Sequence, residues 1–272
     1  MNNEGSPSKV TVSIVGGAGR MGLLLGRILK ERVGAVRISS RGQRRAIEAS
    51  RRLGLDWLPT EEAHRSDIVI VSVPIDQTVK ICEDIGRRMA PESLLVDLTS
   101  VKTGITRNIG ENTPSPVEYL SLHPLFGPQV QDLVGKRCIA ISVRGGPMTD
   151  EFLKILVECG AVIKKSTVEE HDWAMATIQV LHHHALLTFA NTIGKIASDM
   201  ELSPYITESL EKTMQNLENI ELNWETISAI QRLNPYAQYV REAFAENAKA
   251  ATNFDGSIRA ELQRALQLLR SP

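Results

Sequence analysis

Residues 9–15 form a β-branched run that stops at Gly16-Gly17-Ala18-Gly19-Arg20-Met21-Gly22. An apolar run ended by glycines predicts a buried strand and a tight turn, and the spacing of residues 23–29 predicts a helix directly after it. Five further short apolar runs, at residues 36–39, 67–73, 94–98, 119–122 and 138–143, each predict a buried strand. Between them, residues 44–53 and 77–89 repeat their apolar positions at helical spacing. Strands alternating with helices predict a parallel, doubly wound sheet with right-handed crossovers. From residue 169 the strand signal ends and helical patterns run to residue 270, broken at Ser203-Pro204 and Asn234-Pro235. These patterns predict an α/β domain over 1–166 and an all-helical domain over 167–272. The last helix carries a stripe of Ile258, Leu262, Ala265, Leu266 and Leu269.

With 42% apolar and 23% charged residues, the 272-residue chain has the material for a core. Its 31 basic and 32 acidic residues leave a net charge of −1, no field to hold a nucleic-acid backbone or an anionic membrane. A small-molecule partner is expected. No stretch approaches the roughly 18 apolar residues of a membrane-spanning helix, and residues 1–9 are polar, so a cytoplasmic location is expected. Cys82, Cys138 and Cys159 are widely spaced in apolar surroundings and read as reduced core residues. The roughly 100 residues of the helical domain form a thin core alone, and their apolar stripes predict a homodimer through that domain.

Gly17, Gly19 and Gly22 satisfy G-x-G-x-x-G between a strand and a helix, the context in which that motif binds a dinucleotide. The N–H groups of the helix start then face the pyrophosphate, with Ala18, Arg20 and Met21 completing the loop. The fold class is therefore a Rossmann doubly wound sheet followed by a helical C-terminal domain. An NAD site usually places Asp or Glu about 20 residues beyond the glycines, where it holds the ribose 2′-hydroxyl. Residues 32–47 contain no carboxylate, and the second strand ends in Ser39-Ser40-Arg41, with Arg44 and Arg45 behind it. Hydroxyls and guanidinium groups suit a 2′-phosphate, so NADP is the expected cofactor. Val73 and Pro74, where another strand ends at the same edge, are expected to face the nicotinamide.

Two more strand ends carry candidate chemistry: Asp97-Leu98-Thr99-Ser100-Val101-Lys102, and His123 in His123-Pro124-Leu125-Phe126-Gly127-Pro128. With Glu170-His171-Asp172 and residues 179–184, these stretches resemble the prephenate dehydrogenases. The resemblance implies that prephenate or arogenate loses the C4 hydride to the nicotinamide and the ring carboxylate as CO2. By the same resemblance, His123 accepts the hydroxyl proton, and Ser100 hydrogen-bonds both that hydroxyl and the histidine. It also implies that His183 and Gln179 line the substrate pocket, and Lys102 would add positive charge near the substrate. His182, His183 and His184 are consecutive on a helix, so they point about 100° apart and cannot converge on one metal ion. No metal is expected. The family's arginine for the ring carboxylate has no counterpart in residues 202–231, which makes Arg232 the first substitute, followed by Arg241 and Lys212. Two rivals keep the same glycine loop: a dehydrogenase for an amino-substituted prephenate analogue or other hydroxy acid, and a catalytically silent NADP-binding regulator.

Overall fold

The computed structural model describes residues 8–252 and 256–270. Eight strands form one sheet, in the order β3-β2-β1-β4-β5-β6-β7-β8. They are β1 (Ser8–Val15), β2 (Val33–Ser39), β3 (Asp56–Trp57), β4 (Ile68–Val71), β5 (Leu94–Asp97), β6 (Glu118–Pro124), β7 (Arg137–Arg144) and β8 (Val162–Lys165). β1 to β6 pair in parallel, as the alternation predicts. The expectation of a wholly parallel sheet fails at β7, which pairs antiparallel with β6, while β8 runs parallel to β7. The reason is local: no helix lies between β6 and β7, so the chain turns back without a crossover.

Helices cover both faces of the sheet. On one side, α1 (Arg20–Leu29) and α5 (Pro147–Glu158) pack Leu25, Leu29, Phe152 and Ile155 against Ile14, Ile70 and Val96. On the other, α3 (Ile75–Gly86) and α4 (Ile105–Asn112) pack Cys82, Ile85 and Ile109 against Val69, Leu95 and Tyr119. Between β2 and β3 lies α2 (Gln43–Leu53), whose outer face carries Arg44, Arg45, Arg51 and Arg52.

The helical part begins with α6 (Val168–Met175). Thr167 caps it by accepting a hydrogen bond from the Glu170 amide (3.1 Å), which fixes the helix start one turn ahead of His171. A π-helical turn, Ala176–Val180, separates α6 from α7 (Leu181–Ile196). There follow α8 (Glu208–Leu222), α9 (Trp224–Leu233), α10 (Ala237–Ala250) and α11 (Gly256–Arg270). The two parts join through one apolar cluster, in which Val101 from the loop after β5 meets Ala176, Val180, Ile230, Ala237 and Val240. Full burial of a side chain such as Ile230 contributes roughly 1.5–3 kcal/mol. By contrast, not one residue of α7 or α11 is buried, the stripe from Ile258 to Leu269 included. Among the described residues no helix is long and apolar enough to cross a membrane, and no group of three potential ligands could hold a metal ion.

Candidate active site

β1 lies between β2 and β4, so the order of connection reverses there, the position at which open α/β sheets bind ligands beyond the carboxyl ends of their strands. Gly16 turns the chain at φ +80°, and a Cβ on it would strike the Ser72 carbonyl oxygen. A Cβ on Gly22 would lie 2.6 Å from Gly17 Cα, so α1 can ride against the loop only with glycine there. Gly19 caps α1 without a side-chain hydrogen bond, and no acid occupies the first turn, leaving free N–H groups for an anion. Ala18 and Met21 are half-buried, and Gly19 and Arg20 are exposed at the rim. This cradle fits the pyrophosphate of a dinucleotide. Val73 is half-buried at the end of β4, and the exposed Pro74 caps α3.

The end of β2 departs in part from expectation. Ser39 is 1% exposed, because its carbonyl accepts from the Gly17 amide (2.9 Å) and pulls the residue under the glycine loop. Its Oγ is buried without a partner rather than facing solvent. Ser40 is half-buried, while Arg41, Arg44 and Arg45 are exposed. The Arg44–Glu48 pair (3.2 Å) is largely solvated and holds Arg44 only weakly.

His123 sits at the carboxyl end of β6 and is 3% exposed. Its Nδ1 lies 2.9 Å from His171 Nε2, and His171 Nδ1 lies 2.7 Å from Asp172 Oδ1. Asp172 also accepts from the Lys102 amide (3.0 Å) and the Thr103 amide (2.7 Å). Burial raises its carboxyl, but the hydrogen bonds from His171 and these amides prevail and hold it below the usual carboxylate range. An ionised Asp172 can only accept, which puts a proton on His171 Nδ1 and leaves His171 Nε2 as an acceptor. His123 Nδ1 must then be the donor. His123 Nε2 is thereby left with a lone pair. Burial, then the charge of Lys102, then His171, hold the His123 imidazole well below its ordinary range, so the ring is neutral. A neutral imidazole with Nε2 unprotonated is a proton acceptor.

Lys102, expected beside the substrate, is fully buried instead. Its Nζ donates to the Leu122 carbonyl (3.1 Å), Asp97 Oδ1 (3.4 Å) and Thr99 Oγ1 (3.5 Å). Asp97 in turn accepts from Tyr119 Oη (2.8 Å) and from the amide and hydroxyl of Thr99. Ser100 is half-buried and makes no side-chain hydrogen bond among the described residues, so the anticipated bond to His123 is not formed; the partner of His123 Nδ1 is His171.

The π-helical turn carries Gln179, with His183 four residues on. Gln179 Oε1 and His183 Nδ1 are both buried without a hydrogen-bond partner among the described residues. Burial, then His182, lower the His183 imidazole to about 4. His182 is exposed, and the His184 ring packs edge-on against Phe244 (5.3 Å), so the three histidines diverge. Arg232 is exposed at the end of α9 and makes no hydrogen bond among the described residues. Arg241 is half-buried and donates to Gln231, whose side-chain amide donates to the Val180 carbonyl (2.9 Å). Lys212 is exposed on α8. The residues that sequence reasoning left without a role are His171 and Asp172. Their signal was adjacency in one short motif, with 48 residues separating His171 from His123.

Residues 25–137 match the family model described as the nucleotide-binding domain of prephenate dehydrogenase. The chain is 26% identical over 249 residues to a probable arogenate/prephenate dehydrogenase of Methanocaldococcus jannaschii, covering 89% of this chain and 56% of that protein. It is 32% identical over 181 residues to the T-protein of Haemophilus influenzae, covering 66% of this chain and 44% of the other. The chain thus spans about half the length of the curated relatives it matches. The crystal structure of prephenate dehydrogenase from A. aeolicus in complex with hydroxyphenyl propionate and NAD+ superposes with a TM-score of 0.79 at 16% identity. That match covers 98% of this chain and 96% of the other.

Proposed function

We propose, from the match of residues 25–137 to the nucleotide-binding domain of prephenate dehydrogenase, that the chain is an NADP-linked dehydrogenase oxidising and decarboxylating prephenate or arogenate. The observation that carries this reading is the His123–His171–Asp172 chain, which presents an unprotonated His123 Nε2 at the sheet edge that also carries the glycine loop. When bound, the dinucleotide supplies the acceptor for the hydride that leaves C4. His123 Nε2 takes the proton of the C4 hydroxyl, so the carbon–oxygen bond gains double-bond character as the hydride departs. Ser100 orients that hydroxyl. Loss of CO2 then returns an electron pair to the ring, and the oxygen, left as a phenolate, takes the proton back from His123 Nε2 to end as a phenol. Gln179 and His183 line the substrate side.

Arg41, with Arg44 and Arg45, pairs with the 2′-phosphate of NADP, since no carboxylate in residues 32–47 repels it. The assay is NAD(P)H formation followed at 340 nm with prephenate and with arogenate, each against both cofactors. NADP gives the higher kcat/KM, and Arg41→Ala lowers kcat/KM for NADP by roughly 10- to 100-fold, the scale of a charge-assisted hydrogen bond, while sparing NAD. Equal use of NAD sinks the cofactor assignment; silence with both substrates sinks the activity.

The helical part assembles as a homodimer. The support is α7, a 16-residue helix rich in leucine with no buried residue, together with exposed Phe189, Ile196, Met200 and Trp224. Sedimentation equilibrium at micromolar concentration gives twice the chain mass; a monomer there overturns the assignment.

A further inference from the structure

The Lys102–Asp97 pair is bonded to the strand that carries the general base and takes no part in the proton transfer. Its ammonium is fully buried, and its three protons have three acceptors: the Leu122 carbonyl, Asp97 and Thr99. All three partners accept, so the nitrogen is a charged ammonium. Leu122 is the residue directly before His123, so a formal positive charge is fastened one peptide unit from the imidazole. The main chain of the same residue grips the other end of the relay, since the Lys102 amide donates to Asp172. We propose that Lys102 is a positioning residue for the general base: its buried charge, fastened to the strand that carries His123, keeps a second positive charge off the imidazole until the substrate hydroxyl delivers its proton.

The titratable groups acting on the ring are Lys102, on the loop after β5, and His171 on α6; Asp97 and Tyr119 stand behind Lys102, and Asp172 behind His171. Cys82 on α3 lies beyond Asp97. Lys102 is the cation among them: burial lowers its ammonium, and the charge and hydrogen bond of Asp97 oppose that loss. Burial, then Lys102, lower His123, while burial raises Asp97 and Lys102 with the Thr99 bonds brings it back below its ordinary range. A charge buried beside another group is screened little by solvent, so its influence on His123 is direct.

The inference rests on His123 being the base, but its test does not need turnover. His123 titration is followed by NMR in the ligand-free protein, with the resonance assigned through His123→Asn. Lys102→Met preserves length and removes the charge, and the His123 midpoint rises by about one pH unit or more. Lys102→Arg keeps a positive charge at that place, and the midpoint stays near the wild-type value. A rise in Lys102→Met without one in Lys102→Arg is the signature of charge; packing damage alone would hydrate the ring and raise the midpoint in both variants. The acid limb of kcat/KM moves with the midpoint in each. An unchanged midpoint in Lys102→Met, or an equal rise in Lys102→Arg, overturns the proposal; if Lys102→Met does not fold, Lys102→Gln takes its place. Full activity in His123→Asn would remove the base assignment while leaving the titration result standing.

Discussion

His123→Asn should bind dinucleotide as the wild type does and lose roughly 10²- to 10⁴-fold in kcat, the range in which general-base removal falls. The separation follows from position. His123 ends β6, two strands from β4 and three from β1, whereas the pyrophosphate cradle is built from the glycine loop and the first turn of α1. Asparagine keeps a hydrogen-bonding group near His171 and does not leave its Nε2 buried and unpaired, so the fold survives. Fluorescence titration with NADPH measures the binding and single-turnover absorbance measures the chemistry. Near-wild-type turnover in the variant would assign the proton to another acceptor.

Asp172→Asn has the second-largest effect, through a proton in the wrong place. The side-chain amide that this substitution introduces can donate toward His171 Nδ1, which then becomes the acceptor and moves the ring proton to Nε2. That proton points at His123 Nδ1, and His123 is driven to carry its own proton on Nε2, where it can no longer accept from substrate. The substitution is isosteric, and a carboxylate-to-amide change behind a catalytic histidine in serine proteases costs about 10⁴ in kcat. Here the loss should be about 10²- to 10⁴-fold, with KM for cofactor unchanged. The loop amides of Lys102 and Thr103 still find the new side-chain oxygen only if the group is not flipped, so melting temperature is measured alongside. A kcat within threefold of wild type, in a protein of unchanged stability, would show that the tautomer is not held by Asp172.

Much of this architecture is legible in the chain because the signals are local. The glycine loop, the strand runs and the switch to helical spacing near residue 168 each lie within a few neighbouring residues. β8 is not, because Val162-Ile163-Lys164-Lys165 has only two apolar residues and half its side chains are lysines facing solvent at a sheet edge. The reversal of β7 depends on the absence of a helix in residues 125–136, which apolar periodicity does not report. Lys102 misled for a physical reason: a lysine at a strand's carboxyl edge suggests an exposed charge, and only the three-dimensional packing of Asp97, Thr99 and Leu122 makes burial tolerable. Ser39 misled similarly, since an alternating strand does not say which face the glycine loop will cover.

The hydrogen bonds of Asp172 also divide the molecule mechanically. The sheet ends at Lys165 and the helices begin at Val168, yet Asp172 and His171 are tied back to Lys102, Thr103 and His123, and the Asp172 carbonyl also accepts from Asn234 (2.8 Å). A chain cut at the end of the sheet would separate two pieces that each resemble a domain, and would strip His123 of the partner that sets its tautomer. The first turns of α6 are therefore tied, as a machine part, to the piece that carries the glycine loop. An engineered fusion or circular permutation that respects catalysis has its natural seam beyond Asp172, although the eye, following secondary structure, would place it before.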